Sequence, residues 1–134
     1  MTQGITVKSL IRRAFPILIL AVAACTPLVD VMDVDKIQPG EREAAASVRI
    51  VPIGSPQTVT GKFMGSVEAN SCKFLLWDKP PSQTNATIQL QIKALRLGAD
   101  TVSNYACNRS GTDAYGTNCW GSVTCGGDAF KTHS

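Results

Sequence analysis

The sequence predicts an α+β domain, a small sheet of about four strands that is stapled by disulfides and carries one main helix. Two observations lead to this prediction. Segments rich in β-branched residues lie on both sides of a single stretch with helical periodicity. The chain also contains five cysteines, four of them in its second half. Such a set is typical of small exported domains whose hydrophobic core alone is barely sufficient for stability.

The first 24 residues have the layout of a signal peptide. Lys8, Arg12 and Arg13 form a basic start, and the apolar stretch 14–24 ends in small residues. This stretch of 11 residues is about half the ~20 that a membrane-spanning helix needs. We therefore predict a cleaved signal peptide over residues 1–24.

The segment 20–25, LAVAAC, resembles the lipobox of bacterial lipoproteins. In a lipobox the cysteine is acylated and the bond before it is cut, so the resemblance implies palmitate or similar chains on Cys25. Each buried methylene contributes ~0.8 kcal/mol, and several chains would hold the protein on a membrane. Lipoproteins with Asp after the cysteine stay at the inner membrane, so Thr26 favours the outer membrane. The alternative is an ordinary signal peptide with an incidental cysteine.

Charge and residue content narrow the function classes. The chain has 13 basic and 10 acidic residues, and loss of the three basic leader residues leaves ten of each. No basic run with interleaved aromatic residues is present, so we expect no nucleic-acid binding. Asp100 and Asp113 are too isolated to form a catalytic pair. We expect neither an enzyme nor a cofactor, metal or small-molecule substrate.

Residues 25–46 are predicted to be the lipidated cysteine followed by a flexible acidic linker. Five acids, two prolines and no clean apolar periodicity indicate a solvated segment, although residues 41–46 could form a helical turn. Fully extended, the linker would reach ~70 Å. Relaxed, it would average nearer ~25 Å. The folded domain is then predicted over residues 47–134.

The domain is predicted to have the order β-β-α-β-β. The first two strands are expected at residues 47–53, which are β-branched, and 62–70, which alternate with a period of two. The last two are expected at residues 101–107 and 121–125, and the final strand could continue towards Phe130.

One helix is predicted over residues 82–97. Ile88, Ile92 and Leu95 fall at i, i+4 and i+7, so they predict a stripe that faces the core. Gly98 suits the position that follows a helix end. The helix therefore separates the two pairs of strands.

The cysteines other than Cys25 form an even set, which predicts two disulfides in an exported domain: Cys72, Cys107, Cys119 and Cys125. A zinc site is the competing interpretation, but the gaps of 34, 11 and 5 residues contain no close pair. The CxxC spacing of thiol-redox enzymes is also absent. Spacing alone leaves three pairings open, although a bond between Cys107 and Cys125 would join two predicted strands.

Three further residues suggest structural rather than functional roles. In a small domain a tryptophan more often covers the core than recognises a partner, so we expect Trp77 and Trp120 to be core lids. His133, the only histidine, lies near the chain end, where we expect a frayed tail. None of the three is predicted to be a site residue.

Several of these segments together resemble the RcsF family, outer-membrane lipoproteins that sense envelope stress for the Rcs phosphorelay. The resemblance covers roughly residues 47–130 and the lipoprotein leader. It rests on the run GSVEANSC at 65–72, the Pro80-Pro81 turn, the motif LGADTV at 97–102, and the three cysteines that follow.

The resemblance implies the disulfides Cys72–Cys119 and Cys107–Cys125, in agreement with the strand argument. It also implies a periplasm-facing domain that contacts the inner-membrane protein IgaA and associates with BamA and outer-membrane β-barrels. The family's Pro-rich linker suits threading through a barrel, whereas the linker here is acidic and has two prolines. The loop 108–118 also looks longer than in that family. An envelope lipoprotein that binds a partner without signalling is the alternative.

Overall fold

The structure is a computed structural model, and it describes residues 31–111 and 119–133. The predicted signal peptide, the lipid-bearing Cys25 and the isolated Asp113 lie outside these residues. Within the described ranges, no helix is long and apolar enough to cross a membrane.

The described residues form an α+β fold, and the order β-β-α-β-β predicted for the domain is confirmed. A short 3₁₀ turn and an extra helix precede the first strand. Both lie in the segment that was predicted to be a linker. In chain order the elements are the turn Val34–Lys36, α1 (Pro39–Ala46), β1 (Arg49–Pro52), β2 (Lys62–Lys73), α2 (Gln83–Arg96), β3 (Thr101–Ser110) and β4 (Gly121–Lys131).

The four strands form one mixed sheet in the order β1-β3-β4-β2. β1 runs parallel to β3, with Arg49 opposite Thr101, and the other two pairs are antiparallel. Because β1 and β2 lie at opposite edges, the connection 53–61 has to pass across the sheet. Part of this connection lines a groove together with Ser103 and Phe130.

The two faces of the sheet have different chemistry. Since alternate residues of a strand point to opposite sides, the polar partners of β2 and β4 share the face turned away from α2. There the Asp128 carboxylate accepts hydrogen bonds from Ser66 Oγ and Asn104 Nδ2, both at 2.9 Å. The other face forms the core with α2, and its buried residues are Val48, Val67, Ala69, Leu90, Ala94, Ala99, Val102 and Ala129.

The helix α2 starts and ends within one residue of its predicted bounds. Ser82 Oγ accepts a hydrogen bond from the Asn85 N–H at 3.0 Å, which caps the first turn. At the other end Gly98 has a φ of 80°, and its N–H donates to the Leu95 carbonyl at 2.8 Å. Glycine adopts this left-handed conformation without strain, so it stops the helix.

The apolar stripe of α2 differs from the predicted one, because the helix is covered on two sides. Leu90 and Ala94 pack on the sheet and are fully buried. Of the predicted stripe, Ile92 is fully buried and Leu95 packs against the same core. Ile88 instead lines a groove that α2 shares with α1. The single stripe that the sequence pattern predicted therefore belongs to two faces of the helix, one towards the sheet and one towards α1.

The linker prediction needs correction over residues 31–46, which lie against α2. Ala45 of α1 is fully buried. The Glu41 carboxylate accepts two hydrogen bonds from the Arg96 guanidinium, at 2.7 and 3.3 Å, and this pairing lowers the pKa of Glu41. The acidic composition concealed the helix, because its buried side consists of small alanine side chains that give little hydrophobic periodicity.

A buried glutamine ties this N-terminal segment to the rest of the domain. Gln89 is fully buried in α2, and its Nε2 donates to the Asn70 carbonyl of β2 at 2.9 Å and to Asn85 Oδ1. Its Oε1 accepts from the Met32 N–H at 2.9 Å. All partners of this buried amide are protein groups, and residue 32 is thereby held at the junction of β2 and α2.

Candidate interaction surface at the disulfide-linked end of the sheet

The first disulfide lies between the two central strands. Cys107 of β3 and Cys125 of β4 are directly opposite in the antiparallel register, with Cα atoms 4.1 Å apart. Cys125 is fully buried and packs with Ala86 of α2 and Val123. This bond therefore belongs to the core between the sheet and the helix.

A tyrosine hydroxyl lies close to both sulfurs of this disulfide. The Tyr105 hydroxyl lies 2.9 Å from Sγ of Cys107 and 2.6 Å from Oγ1 of Thr87 in α2. Since the Thr87 hydroxyl donates to the Gln83 carbonyl, at 2.8 Å, its oxygen accepts the hydrogen bond from the Tyr105 hydroxyl. The contact connects helix, strand and disulfide, so it fixes α2 over the sheet.

The second disulfide closes the end of the sheet. Cys72, near the end of β2, is bonded to Cys119, just before β4, with Cα atoms 5.6 Å apart. Next to it the Trp120 N–H donates to the Lys73 carbonyl at 2.7 Å. Both disulfides are those that the family resemblance implied, and all four sulfurs are used in them.

An exposed apolar turn begins directly after this disulfide. The side chains of Leu75, Leu76 and Trp77 are 46%, 61% and 80% exposed. Asp78 fixes the turn, because its carboxylate accepts from the Leu75 N–H at 2.8 Å and its own N–H donates to the Leu75 carbonyl at 3.1 Å. We call residues 75–77 the apolar turn. Its shape is set by hydrogen bonds, while its side chains face solvent.

The expectation that both tryptophans are core lids is wrong. Trp77 is 80% exposed and Trp120 is 50% exposed. At this end of the sheet the side chain of Cys119 is buried, at 2% exposed, and neither tryptophan is buried. Three consecutive large apolar residues between a strand and a Pro-Pro turn were the available signal, and the sequence reasoning did not use it.

The N-terminal segment lies beside this turn. Residues 31–35 line one side of an open groove of about 660 Å³, and Phe74 and Lys79, which flank the turn, line it as well. The acidic charge here is partly neutralised, since Asp33 pairs with Lys36 at 3.0 Å. Residues 31–35 therefore lie at the end of the sheet that displays the apolar turn.

Asp100, which was considered and dismissed as a catalytic carboxylate, organises the opposite end of the sheet. Burial alone would raise its pKa, but hydrogen bonds from the Thr132 hydroxyl, the His133 and Thr132 N–H groups and the Thr101 hydroxyl outweigh it. They hold the pKa of Asp100 well below its usual range. The tail is thus fastened as far as His133 and is not frayed there, which corrects the expectation for it.

The described residues bring together no group of three or more His, Cys, Asp or Glu side chains that could hold a metal ion. Comparison with models of protein families finds none that matches the chain, and a search of curated proteins finds no match either. What the protein does has therefore to be inferred from its own residues.

Proposed function

We propose that the protein is a non-enzymatic outer-membrane lipoprotein, held by acyl chains on Cys25, that senses envelope stress and signals to an Rcs-type phosphorelay through protein–protein contact. The division of the cysteines carries this proposal. Four of the five form two disulfides within the domain, which leaves Cys25, at the end of the apolar leader, for the lipid.

The disulfides also support export. Structural disulfides persist in oxidising compartments such as the periplasm and are rare in the cytosol. The pairing Cys72–Cys119 and Cys107–Cys125 matches what the RcsF resemblance implies.

Lipidation can be tested by intact-mass spectrometry of the protein extracted from membranes. We expect a chain that begins at Cys25 and carries the added mass of the acyl chains. The matched control is Cys25→Ser, which keeps the four domain cysteines and should show no acyl mass. A wild-type chain cut elsewhere and carrying no lipid would contradict the proposal.

Signalling needs a separate test, because a lipoprotein can bind a partner without transmitting a signal to a phosphorelay. Deletion of the gene should abolish the transcriptional response to envelope stress, and the wild-type chain should restore that response. Cys25→Ser should restore it poorly. A response that is unchanged by the deletion would remove the signalling role while leaving the lipid anchor intact.

A second candidate, an envelope lipoprotein that binds a partner without signalling, is favoured by the packing of residues 31–46. With this segment held on α2, only residues 26–30 connect Cys25 to the described domain, a reach of about 20 Å. Such a short connection favours partners in or near the anchoring membrane, such as BamA or another barrel, over an inner-membrane IgaA-like protein. It also leaves little chain for threading through a barrel.

A photo-crosslinking experiment can separate these partners. A crosslinking amino acid at the exposed Trp120 should capture the partner in living cells, and the same residue at Phe63, near the other end of β2, serves as the control. Capture of an outer-membrane protein only at position 120 would favour the second candidate. Capture of an inner-membrane protein at either position would favour signalling.

A further inference from the structure

We propose that the apolar turn, Leu75–Trp77, is a second membrane contact, which inserts into the interface of the same bilayer that holds the lipid on Cys25. This inference rests on the proposed lipid anchor. It adds that the domain lies on the membrane in a fixed orientation, with the Cys72–Cys119 end towards the bilayer.

The side chains of the turn suit the interfacial zone of a membrane. Leu76 and Trp77 are 61% and 80% exposed, while Asp78 holds the backbone of the turn in place. Tryptophan is enriched at membrane–water interfaces, where its ring is buried and its N–H still finds polar partners. Because the turn is already fixed, insertion would order little additional chain.

The residues around the turn complete an interfacial site. Lys73 and Lys79 flank it in sequence, and long lysine side chains can reach headgroup phosphates from such positions. Trp120 lies at the same end of the sheet. Its backbone N–H donates to the Lys73 carbonyl, and the preceding residue, Cys119, is bonded to Cys72. The Asp78 carboxylate accepts a hydrogen bond from the Leu75 N–H.

The position of residues 31–35 argues for a bilayer as the occupant. Residues 31–35 share a groove with Phe74 and Lys79, so the path to Cys25 leaves the domain next to the apolar turn. The intervening residues 26–30 span at most about 20 Å. A lipid on Cys25 would therefore bring this end, and not the Asp100 end, close to the membrane.

Tryptophan fluorescence tests the inference, since the chain has only two tryptophans. The full-length lipidated protein with Trp120→Phe keeps Trp77 as its single reporter. The protein is reconstituted into phosphatidylethanolamine/phosphatidylglycerol vesicles, with or without lipids brominated on the acyl chains. The matched control carries Trp77→Phe, Trp120→Phe and Phe63→Trp. Phe63 is 55% exposed and lies ten residues before Lys73 in β2, about 33 Å away.

We expect the brominated lipids to reduce Trp77 emission roughly twofold or more, because they quench only an indole within the bilayer. The reporter in the Phe63→Trp control should not be quenched by them and should stay open to aqueous acrylamide. Trp77 emission that acrylamide quenches and brominated lipids leave unchanged would overturn the inference. Equal lipid quenching at both positions would overturn it as well, because the orientation would then be lost.

The mass of each reconstituted protein separates this inference from the proposed function. If the acyl chains are present and Trp77 remains in water, only the membrane contact is overturned. If Cys25 carries no lipid, both fall. The disulfides of each variant are counted from the same mass, so that a misfolded protein is recognised before its fluorescence is interpreted.

Discussion

The two ends of the sheet are closed by different chemistry. At one end the Cys72–Cys119 disulfide joins β2 to the start of β4, and the neighbouring Leu76 and Trp77 are exposed. At the other end Asp100 gathers the chain around one carboxylate through hydrogen bonds to residues 132 and 133. A disulfide holds two strands together whether or not large side chains pack around it. The disulfide-linked end can therefore display apolar side chains without destabilising the core.

The largest effect is expected when the Cys72–Cys119 disulfide is removed. The double variant Cys72→Ser/Cys119→Ser opens a loop with a sequence separation of 47. The chain-entropy relation for a loop of this length gives a loss of about 4 kcal/mol in the free energy of unfolding. Urea unfolding, followed by far-ultraviolet circular dichroism, measures this loss.

The internal bond provides the comparison for that experiment. Cys107→Ala/Cys125→Ala opens a shorter loop, with a separation of 18, and the same relation gives about 3 kcal/mol before any packing loss. An unchanged unfolding midpoint in the Cys72→Ser/Cys119→Ser protein would show that the bond does not hold this end together.

A smaller effect is expected at the Asp100 end. Asp100→Asn removes the charge that receives hydrogen bonds from Thr132 and His133, and we expect a loss of about 1–2 kcal/mol in the free energy of unfolding. Denaturant unfolding at neutral pH measures it. Asp128→Asn, on the exposed polar face, is the matched control.

The same carboxylate predicts a pH dependence of the free energy of unfolding. Because the pKa of Asp100 is lower in the folded than in the unfolded chain, its contribution is present above the unfolded value of about 4. It is lost as the pH falls from there towards the folded pKa. Wild type should therefore lose stability faster than Asp100→Asn when the pH falls below about 4. Parallel pH profiles for the two proteins would contradict this.

The smallest effect is expected in the apolar turn. Trp77→Ser should change the free energy of unfolding by less than about 0.5 kcal/mol, because the side chain is 80% exposed. Leu90→Ala, which truncates a fully buried side chain, should cost about 2–5 kcal/mol in the same assay. A large loss with Trp77→Ser would mean that the turn supports the core.

The sequence predicted the features that depend on local patterns. The bounds of α2 followed from its periodicity and Gly98, and the strands followed from β-branched and alternating residues. The even cysteine set predicted two disulfides. The pairing was left open by spacing, and the family resemblance supplied it.

The features that the sequence did not predict arise from long-range contacts. β1 pairs in parallel with β3, about fifty residues away, and no local pattern encodes that choice. The packing of residues 31–46 depends on the side-chain amide of Gln89 and on buried Ala45, which carry little hydrophobic signal. Trp77 is exposed because it lies in a turn closed by hydrogen bonds between Asp78 and Leu75, which the apolar residues of the turn do not reveal.

The attachment of α1 to α2 has a mechanical consequence. A force applied to the N-terminal side of the domain would first load the hydrogen bond between Met32 and Gln89. It would next load the Glu41–Arg96 ion pair. None of these contacts belongs to the sheet. Release of residues 31–46 would lengthen the connection between Cys25 and the sheet by up to about 55 Å when extended. Both disulfides would remain intact. Residues 31–46 thus form an extensible segment outside the disulfide-linked part of the domain. Under tension this segment would unpack before any strand was pulled from the sheet.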